Sequence, residues 1–369
     1  GVLNPTTSFL AFLGLEGNLG VEYYFNTEVG GQIAGRSIEL FIEDTAADPT
    51  MGLNKAKKLI ERDNVDIILG PLDTPVGFAV RDYVQDQGVP WVLHVGAGWS
   101  PWDLNERGPY SFAVAPTNPQ SHFAMAEYAY DVMGYRSMIT SALDYAPGHE
   151  IADGFNMAFE AKGGEIVDTI LIPLGAADTA PYIAQILQQA NKADAVNAML
   201  WAPAAIGFVN EGRELGLFDA IDVMGFHTLT PDLLDLEEEE ENALGITTYY
   251  WYMLYNDIPA NQEWVEAYTA AVGKSPNVWA AFGYQGAKAI GEAIKGAGGD
   301  VTPDAFAQAM LDVEFDSPAG PFAMDEYGQV ISTVWIGEVR DVDGDIRNVV
   351  IDSIPGVTQL HGGFVEPPG

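Results

Sequence analysis

Residues 65–104 have the sequence VDIILGPLDTPVGFAVRDYVQDQGVPWVLHVGAGWSPWDL, which is the pattern of a βαβ unit. Apolar runs bounded by turn residues predict strands at Val65–Leu69 and Val89–Val95. Between them, apolar residues recur every three or four positions and predict an amphipathic helix over Val76–Gln87. A helical crossover makes its two flanking strands parallel, so their carboxyl ends open on one edge of a sheet. Open α/β sheets bind ligands at that edge.

The turn after the first of these strands carries a second signal. Thr74 followed by Pro75 is typical of a helix N-cap and the first helical position. The backbone N–H groups of Val76 and Gly77 and the Thr74 hydroxyl would then face the cleft, where a helix start favours an anion. The alternative is that Thr74 does no more than cap its helix.

Composition limits the possible partners. The chain has 16 basic and 53 acidic residues and a formal net charge of −37, which repels nucleic acid and anionic lipid headgroups. Cysteine is absent, which excludes a disulfide framework and a thiol nucleophile. The longest apolar stretch, Ala198–Val209, is too short to span a bilayer. A chain of 369 residues is long for one domain, so we expect two domains and no polynucleotide partner.

Five motifs, each occurring once, follow one another along nearly the whole chain: NPTTSFLAFLG; LGPLDTP with QDQGVPWV; LDYAPGHE; NEGRELGLFDAIDVMGFHTLT; and SPNVWAAFGYQGAKAIGEAI with GPFAMDEYGQV. Each is weak alone, but together and in this order the chain resembles the leucine/isoleucine/valine-type substrate-binding proteins of ABC importers. The resemblance implies an α/β fold of two doubly wound, Rossmann-like lobes joined by three hinge crossings, with the ligand cleft between them. It also implies a periplasmic or extracellular protein. Compared with that family the start is trimmed, so we expect an export signal, with or without a lipid anchor, upstream.

The remaining sequence alternates predicted strands and helices, and this rhythm restarts after Thr117-Asn118-Pro119, which predicts a first crossing between lobes. The resemblance implies that a strand at Ile246–Tyr252 returns the chain to the first lobe. It places a third crossing near Gln329. The expected domains are 1–117 with 248–329 for lobe one and 118–247 with 330–369 for lobe two.

Motifs for catalysis or metal binding are missing from the sequence. It contains no G-x-S-x-G, no H-E-x-x-H and no P-loop, and Gly96-Ala97-Gly98 lacks the third glycine of a dinucleotide fingerprint. The histidines are scattered without metal-ligand spacing. Asp341–Asp345 lacks the length and the closing glutamate of a calcium loop, which favours an Asp-Gly hairpin turn. We therefore expect no enzyme activity, no cofactor and no metal.

The resemblance places ligand-binding residues in both lobes. Matching LGPLDTP onto the family's loop puts Thr74 where many members have the serine that holds the ligand carboxylate. Matching HVGAGW puts Gly96 and Gly98 where backbone and threonine groups meet that carboxylate, and Gly98, without a hydroxyl, can donate only a main-chain N–H. For Trp279, core packing at a helix start is the alternative. The predicted ligand-binding set is Leu72, Asp73, Thr74, Gly96, Ala97, Gly98, Trp99, Tyr145, Trp201, Ala202, His227 and Trp279.

One position departs from the family's pattern. Amino-acid-binding members place a glutamate, which pairs with the ligand's ammonium, where this chain has His227. A neutral imidazole is a poor partner for a buried ammonium, so we expect a small carboxylate with an apolar or aromatic body and no α-ammonium. Asp73 or Asp144 could restore amino-acid binding, which keeps a branched-chain or aromatic amino acid as an alternative ligand.

The resemblance also implies the partners. We expect the chain to act as a monomer that closes its lobes on the small-molecule ligand and delivers it to the permease of an ABC importer. The other alternative is a ligand-sensing regulatory module of the same fold.

Overall fold

The computed structural model describes residues 1–95, 100–201, 203–226, 229 and 240–365. Two larger sheets, one of five strands and one of nine, organise these residues. Each sheet with its helices is called a lobe here, lobe one for the five-stranded sheet and lobe two for the nine-stranded sheet. The predicted α/β fold with two lobes is confirmed. No helix in the described ranges is long and apolar enough to cross a membrane.

Lobe one has a parallel sheet in the spatial order β4-β1-β5-β6-β7. The strands of this part of the chain are β1 Val2–Asn4, β2 Gln32–Ile33, β3 Arg36–Ser37, β4 Ile42–Asp44, β5 Ile68–Leu69, β6 Trp91–Leu93 and β7 Ser111–Ala113. β2 and β3 form a separate hairpin. Ile68 pairs with Trp91 in a parallel ladder, so the predicted βαβ unit is confirmed, with strands shorter than predicted.

Helices from both ends of the sequence cover the lobe-one sheet. They are α1 Ala11–Glu22, which continues as a π-helix over Tyr23–Glu28, α2 Pro49–Glu61, α3 Thr74–Gln87, and three helices from the later part of the chain, α9 Pro259–Val272, α10 Val278–Gly296 and α11 Pro303–Leu311. α1 and α10 touch backbone to backbone, since a Cβ on Gly283 would lie 1.9 Å from the carbonyl oxygen of Gly17. Only glycine permits this approach, which fixes the start of α10 beside α1.

Lobe two has a mixed sheet in the order β13-β14-β15-β12-β11-β10-β8-β9, with β16 paired to β15. Its strands are β8 Ser137–Asp144, β9 Glu165–Pro173, β10 Ala195–Met199, β11 Asp222–Phe226, β12 Thr247–Tyr250, β13 Glu314–Ser317, β14 Gly320–Met324, β15 Val330–Val342 and β16 Asp345–Val357. The strands from β8 to β12 pair in parallel, and β12 meets β15 in antiparallel orientation. The helices of this lobe are α4 Gln120–Asp131, α5 Ala146–Ala161, α6 Ala180–Leu187, α7 Pro203–Glu214 and α8 Leu217–Ala220.

The acidic segment at Asp341–Asp345 forms the tight turn between β15 and β16. Val342 pairs with Asp345 across the turn, and Asp343 and Gly344 both have positive φ, 59° and 89°. Two central residues with positive φ are characteristic of a hairpin turn whose twist matches that of the strands. The predicted Asp-Gly hairpin is confirmed.

The buried side chain of Gln120 links the backbone segments that form the lobe crossings. The Gln120 amide nitrogen donates to the carbonyl oxygens of Val330 at 3.0 Å and Val357 at 2.9 Å, and its carbonyl accepts from the Thr117 N–H at 3.1 Å. The first crossing is thereby tied to the start of β15 and the end of β16. β12 pairs with β11 and β15, so we propose that lobe one resumes after Tyr250, while the other predicted boundaries stay predictions.

Candidate functional site

A cavity between the lobes lies at the carboxyl ends of parallel strands from both sheets. The segments that follow β5 and β6 in lobe one, and β8 and β10 in lobe two, contribute to its walls. This is the edge at which open α/β sheets bind ligands. The described residues that line the cavity are Leu10, Leu13, Leu72, Asp73, Thr74, Val95, Asn118, Tyr145, Pro147, Ile151, Trp201, Phe226, Tyr250 and Trp279.

The start of α3 forms the polar end of the cavity, but one residue earlier than predicted. Asp73 has the extended backbone of an N-cap, and Thr74 and Pro75 already belong to the first turn. The Gly77 N–H donates to the Asp73 carbonyl oxygen at 2.9 Å, so it is not available to a ligand. The prediction of Thr74 as N-cap was therefore wrong. Aspartate caps a helix as well as threonine does. Proline fits in the first turn, because the N–H groups there have no acceptor within the helix and the missing proline N–H costs nothing.

Asp73 is a buried acid in this wall, with 8% of its surface exposed. Burial raises the pKa of its carboxyl to about 6, and the nearby Val76 N–H acts in the opposite direction, although the side chain makes no capping hydrogen bond. The other described lining residues include no Asp, Glu, Lys or Arg. Within the described part of the wall, therefore, no basic side chain compensates the charge of Asp73 when it ionises.

Aromatic rings make the wall of lobe two. Tyr145 and Trp201 have ring centroids 5.6 Å apart, Trp201 and Phe226 6.1 Å, and Phe226 and Tyr250 4.4 Å. The indole of Trp201 also lies close to the Tyr145 hydroxyl, and this contact acts to lower the pKa of the phenol. Burial, with the charge of Asp73 as the next cause, raises the pKa of Tyr145, so its hydroxyl stays neutral at physiological pH. The wall offers ring faces for an apolar or aromatic ligand body.

A buried polar cluster supports this wall from behind. The His122 ring stacks on Phe226 with centroids 5.6 Å apart and an interplanar angle of 18°. Its Nδ1 lies 2.6 Å from the Tyr249 hydroxyl, which also accepts from the Asn197 amide at 3.0 Å. Burial lowers the pKa of His122 to about 3, so the imidazole is neutral and the cluster adds no charge beneath the cavity. These contacts fix the orientation of Phe226.

Trp279 forms the facing wall in lobe one. It stacks on Phe282 at a centroid distance of 5.7 Å and also lines the cavity, so it packs in the core and borders the site at once. Asn277 caps α10, because its side-chain oxygen accepts from the N–H groups of Trp279 and Ala280 at 3.1 Å each. Asn277 in turn donates to the buried Glu16 of α1 at 3.3 Å. This chain of contacts holds the indole in place.

Asn118 brings the first crossing into the cavity wall. Its amide nitrogen donates to Glu150 of α5 at 2.6 Å. Burial raises the pKa of Glu150, and the hydrogen bond from Asn118 opposes that effect. The crossing is thus attached to lobe two at the point where it borders the site.

The comparisons with known proteins agree with this geometry. A family model described as periplasmic binding protein matches residues 1–345. The chain belongs to this family. Leu/Ile/Val-binding protein homolog 6 of Brucella suis is 29% identical over 352 residues, covering 93% of this chain and 87% of that protein. The resemblance of this chain to the substrate-binding proteins of ABC importers, predicted from the sequence, is therefore confirmed.

Two solved structures extend the likeness over nearly the whole chain. An ABC transporter substrate-binding protein from Sphaerobacter thermophilus is 35% identical, with a TM-score of 0.90, and the match covers 97% of this chain and 98% of that one. A solute-binding protein from Rhodopseudomonas palustris BisB5, solved with 3,4-dihydroxybenzoic acid, is 29% identical, with a TM-score of 0.87 and 97% of each chain covered. These relatives of the periplasmic binding protein described here are substrate-binding proteins, and the family is extracytoplasmic.

The predicted site residues fall into two groups in this periplasmic binding protein. The structure brings Leu72, Asp73, Thr74, Tyr145, Trp201 and Trp279 together around the cavity, although their contact with a ligand stays a prediction. Gly96, Ala97, Gly98, Trp99, Ala202 and His227 lie outside the described residues. The predicted set missed Leu10, Leu13, Val95, Asn118, Pro147, Ile151, Phe226 and Tyr250.

Some of the missed residues had a signal in the sequence. Phe226 and Tyr250 are the last residues of β11 and β12, and an aromatic residue at the carboxyl end of a parallel strand points toward the ligand edge. Leu10 and Leu13 had none, because their helix is apolar on several sides and the α1–α10 contact decides which side meets the cavity.

Proposed function

We propose that this periplasmic binding protein captures a small carboxylate-bearing ligand with an apolar or aromatic body and delivers it to the permease of an ABC importer. The observation that carries the proposal is the cavity wall, in which aromatic rings from both lobes border the same cavity as the polar start of α3. A ligand with one charged end and one apolar end matches this division. The relative that was solved with 3,4-dihydroxybenzoic acid supports the same ligand class.

In the proposed complex the carboxylate lies at the start of α3, where the helix dipole and the N–H of Val76 favour an anion. The body of the ligand lies between Trp279 of lobe one and Trp201 of lobe two. Ligand contacts on both sides stabilise the closed arrangement relative to an open one, so binding and lobe closure are coupled. The permease then distinguishes the loaded protein by its closed shape.

A second candidate is a branched-chain or aromatic amino acid. It is favoured by the buried carboxyl of Asp73, which can pair with an α-ammonium group, and by the likeness to a Leu/Ile/Val-binding protein homolog. The two candidate ligands require different protonation states of the Asp73 carboxyl. An ammonium requires the carboxylate form, whereas a ligand that is only an anion is repelled by it.

Isothermal titration calorimetry separates the candidates. We expect benzoate, phenylacetate or 3,4-dihydroxybenzoate to bind, and leucine and phenylalanine to bind at least about 100-fold more weakly. The reason is that His227 stands where amino-acid-binding members of the family place the glutamate that pairs with the ammonium, and a buried ammonium without that partner costs roughly 3 kcal/mol or more. 3-Phenylpropanoate and phenylalanine form a matched pair, because phenylalanine differs from 3-phenylpropanoate only by the α-ammonium group. Tight binding of leucine would establish the amino-acid candidate and overturn the first.

A further inference from the structure

Asp73 lies where the ligand carboxylate of the proposed function must lie, at the start of α3 and inside the cavity wall. It is buried, and its N-cap position places its carboxyl close to the Val76 N–H, the group that favours an anion. Two carboxylates sharing such a site do not both stay ionised near neutral pH. One of them takes up a proton, or the ligand is excluded.

Among the residues that the structure describes, the groups around Asp73 do not remove this conflict. From lobe two it is faced by Tyr145 at the start of α5 and by Tyr250 at the end of β12, and burial raises the pKa of both phenols, which keeps them neutral. Glu150 on α5 is a further carboxyl, whose charge also raises the pKa of Tyr145. From lobe one, the lining residues of α1 and α10 are Leu10, Leu13 and Trp279, none of them titratable.

The nearby ion pair of His149 and Asp144 does not line the described cavity wall either. His149 lies 2.9 Å from Asp144, and both side chains are about half exposed, 46% and 54%. Neither residue lines the cavity. His227 and the turn at residues 96–99 lie outside the described residues, so their contribution is tested below by the variant rather than by geometry.

We propose that capture of a carboxylate ligand is coupled to the uptake of one proton by Asp73. The proton comes from the solvent, and the neutral carboxyl then donates a hydrogen bond to the ligand carboxylate where the ionised form would repel it. The inference rests on the proposed function, because an amino acid would instead require Asp73 in its ionised form. Proton coupling makes this residue the selector between a simple acid and an amino acid.

The direction in which ligand affinity changes with pH follows from the linkage between ligand binding and proton binding. Burial places the pKa of Asp73 in the unliganded protein at about 6, and a bound anion raises it further. The complex therefore binds more protons than the free protein above pH 6, and the affinity for the ligand falls as pH rises. Between pH 6 and pH 8 we expect the Kd to rise by roughly tenfold or more.

The test uses benzoate as the probe, because it has no group that titrates between pH 6 and pH 8. Calorimetry at pH 7 in two buffers of different ionisation enthalpy gives the number of protons taken up. We expect about 0.9 proton for the wild-type chain, the ionised fraction of a group with a pKa of about 6. Asp73→Asn should take up none and keep its Kd within about twofold from pH 6 to pH 8. Asparagine caps helices as well as aspartate does, so α3 retains its start.

Glu150→Gln is the matched control, since it removes the half-buried carboxyl on α5 and should keep the wild-type pH dependence. Benzoate binding without proton uptake overturns the inference and leaves the proposed function standing. Proton uptake that persists in Asp73→Asn assigns the proton to another group and also overturns it. Weaker benzoate binding by Asp73→Asn than by the wild type at pH 8 contradicts the inference, because the neutral amide should escape the repulsion that weakens wild-type binding at that pH. No benzoate binding at any pH overturns the proposed aromatic-acid function together with the inference.

Discussion

Gln120 joins three backbone segments at the lobe crossings and is fully buried. Replacing it with methionine keeps the length of the side chain and removes its donor and acceptor. The Thr117 N–H and the Val330 carbonyl then each lose a partner, whereas the Val357 carbonyl keeps the Ser332 hydroxyl at 3.4 Å. Gln120→Met therefore leaves two buried backbone groups underpaired.

The expected loss of stability follows from these two groups. An unpaired buried backbone group costs about 1–3 kcal/mol, so the free energy of unfolding falls by roughly 2–6 kcal/mol. The unfolding entropy of a 369-residue chain is about 0.8 kcal/mol/K, taken at ~2.1 cal/mol/K per residue. The melting temperature should therefore fall by roughly 3–8 °C.

Differential scanning calorimetry measures this shift directly. Gln185→Met is the matched control, because Gln185 is exposed on α6 and its amide makes a 3.4 Å hydrogen bond to Pro181 on the surface of the same helix. An exposed substitution of this kind should move the melting temperature by less than about 1 °C. If Gln120→Met melts within about 1 °C of the wild type, Gln120 does not hold the crossings together and the reasoning is refuted.

Two further substitutions test how lobe one positions the cavity wall. Gly283→Ala should prevent stable folding, as judged by circular dichroism, because its Cβ would lie 1.9 Å from the Gly17 carbonyl oxygen; Gly296→Ala, whose nearest neighbour is 3.7 Å away, should fold normally, and equal stability of the two variants would contradict the helix contact. Asn277→Ala removes the cap of α10 and should cost about 1 kcal/mol in urea denaturation. It should also weaken ligand binding, since it frees Trp279; unchanged affinity would show that the cap does not position the indole.

Local pattern predicted much of the architecture. The βαβ unit followed from apolar spacing, because a buried strand and an amphipathic helix each impose a period on the sequence. The boundaries of α3 did not follow, since Asp73 and Thr74 are both good N-caps and only the backbone conformation distinguishes them. The strand at residues 247–250 was predicted, but its pairing with β11 and β15 depends on contacts between distant segments.

The candidate site was predictable only where a loop follows a strand. Tyr145 and Trp201 follow β8 and β10, and the resemblance to a known family marked both. Asn118 enters the wall because the first crossing bends back toward α5, and no sequence period encodes that bend. The burial of Asp73 was equally hidden, since it depends on both lobes, yet it determines which form of the carboxyl a ligand meets.

The central claim is that the cleft holds a carboxylate at lobe one and an aromatic body between the lobes. A crystal structure of the protein with benzoate tests it most directly. The account predicts the benzoate carboxylate within hydrogen-bond distance of the Val76 N–H and the Asp73 carboxyl, with the ring between Trp201 and Trp279. A ligand bound outside this cavity, or one with its carboxylate turned toward lobe two, would contradict the account.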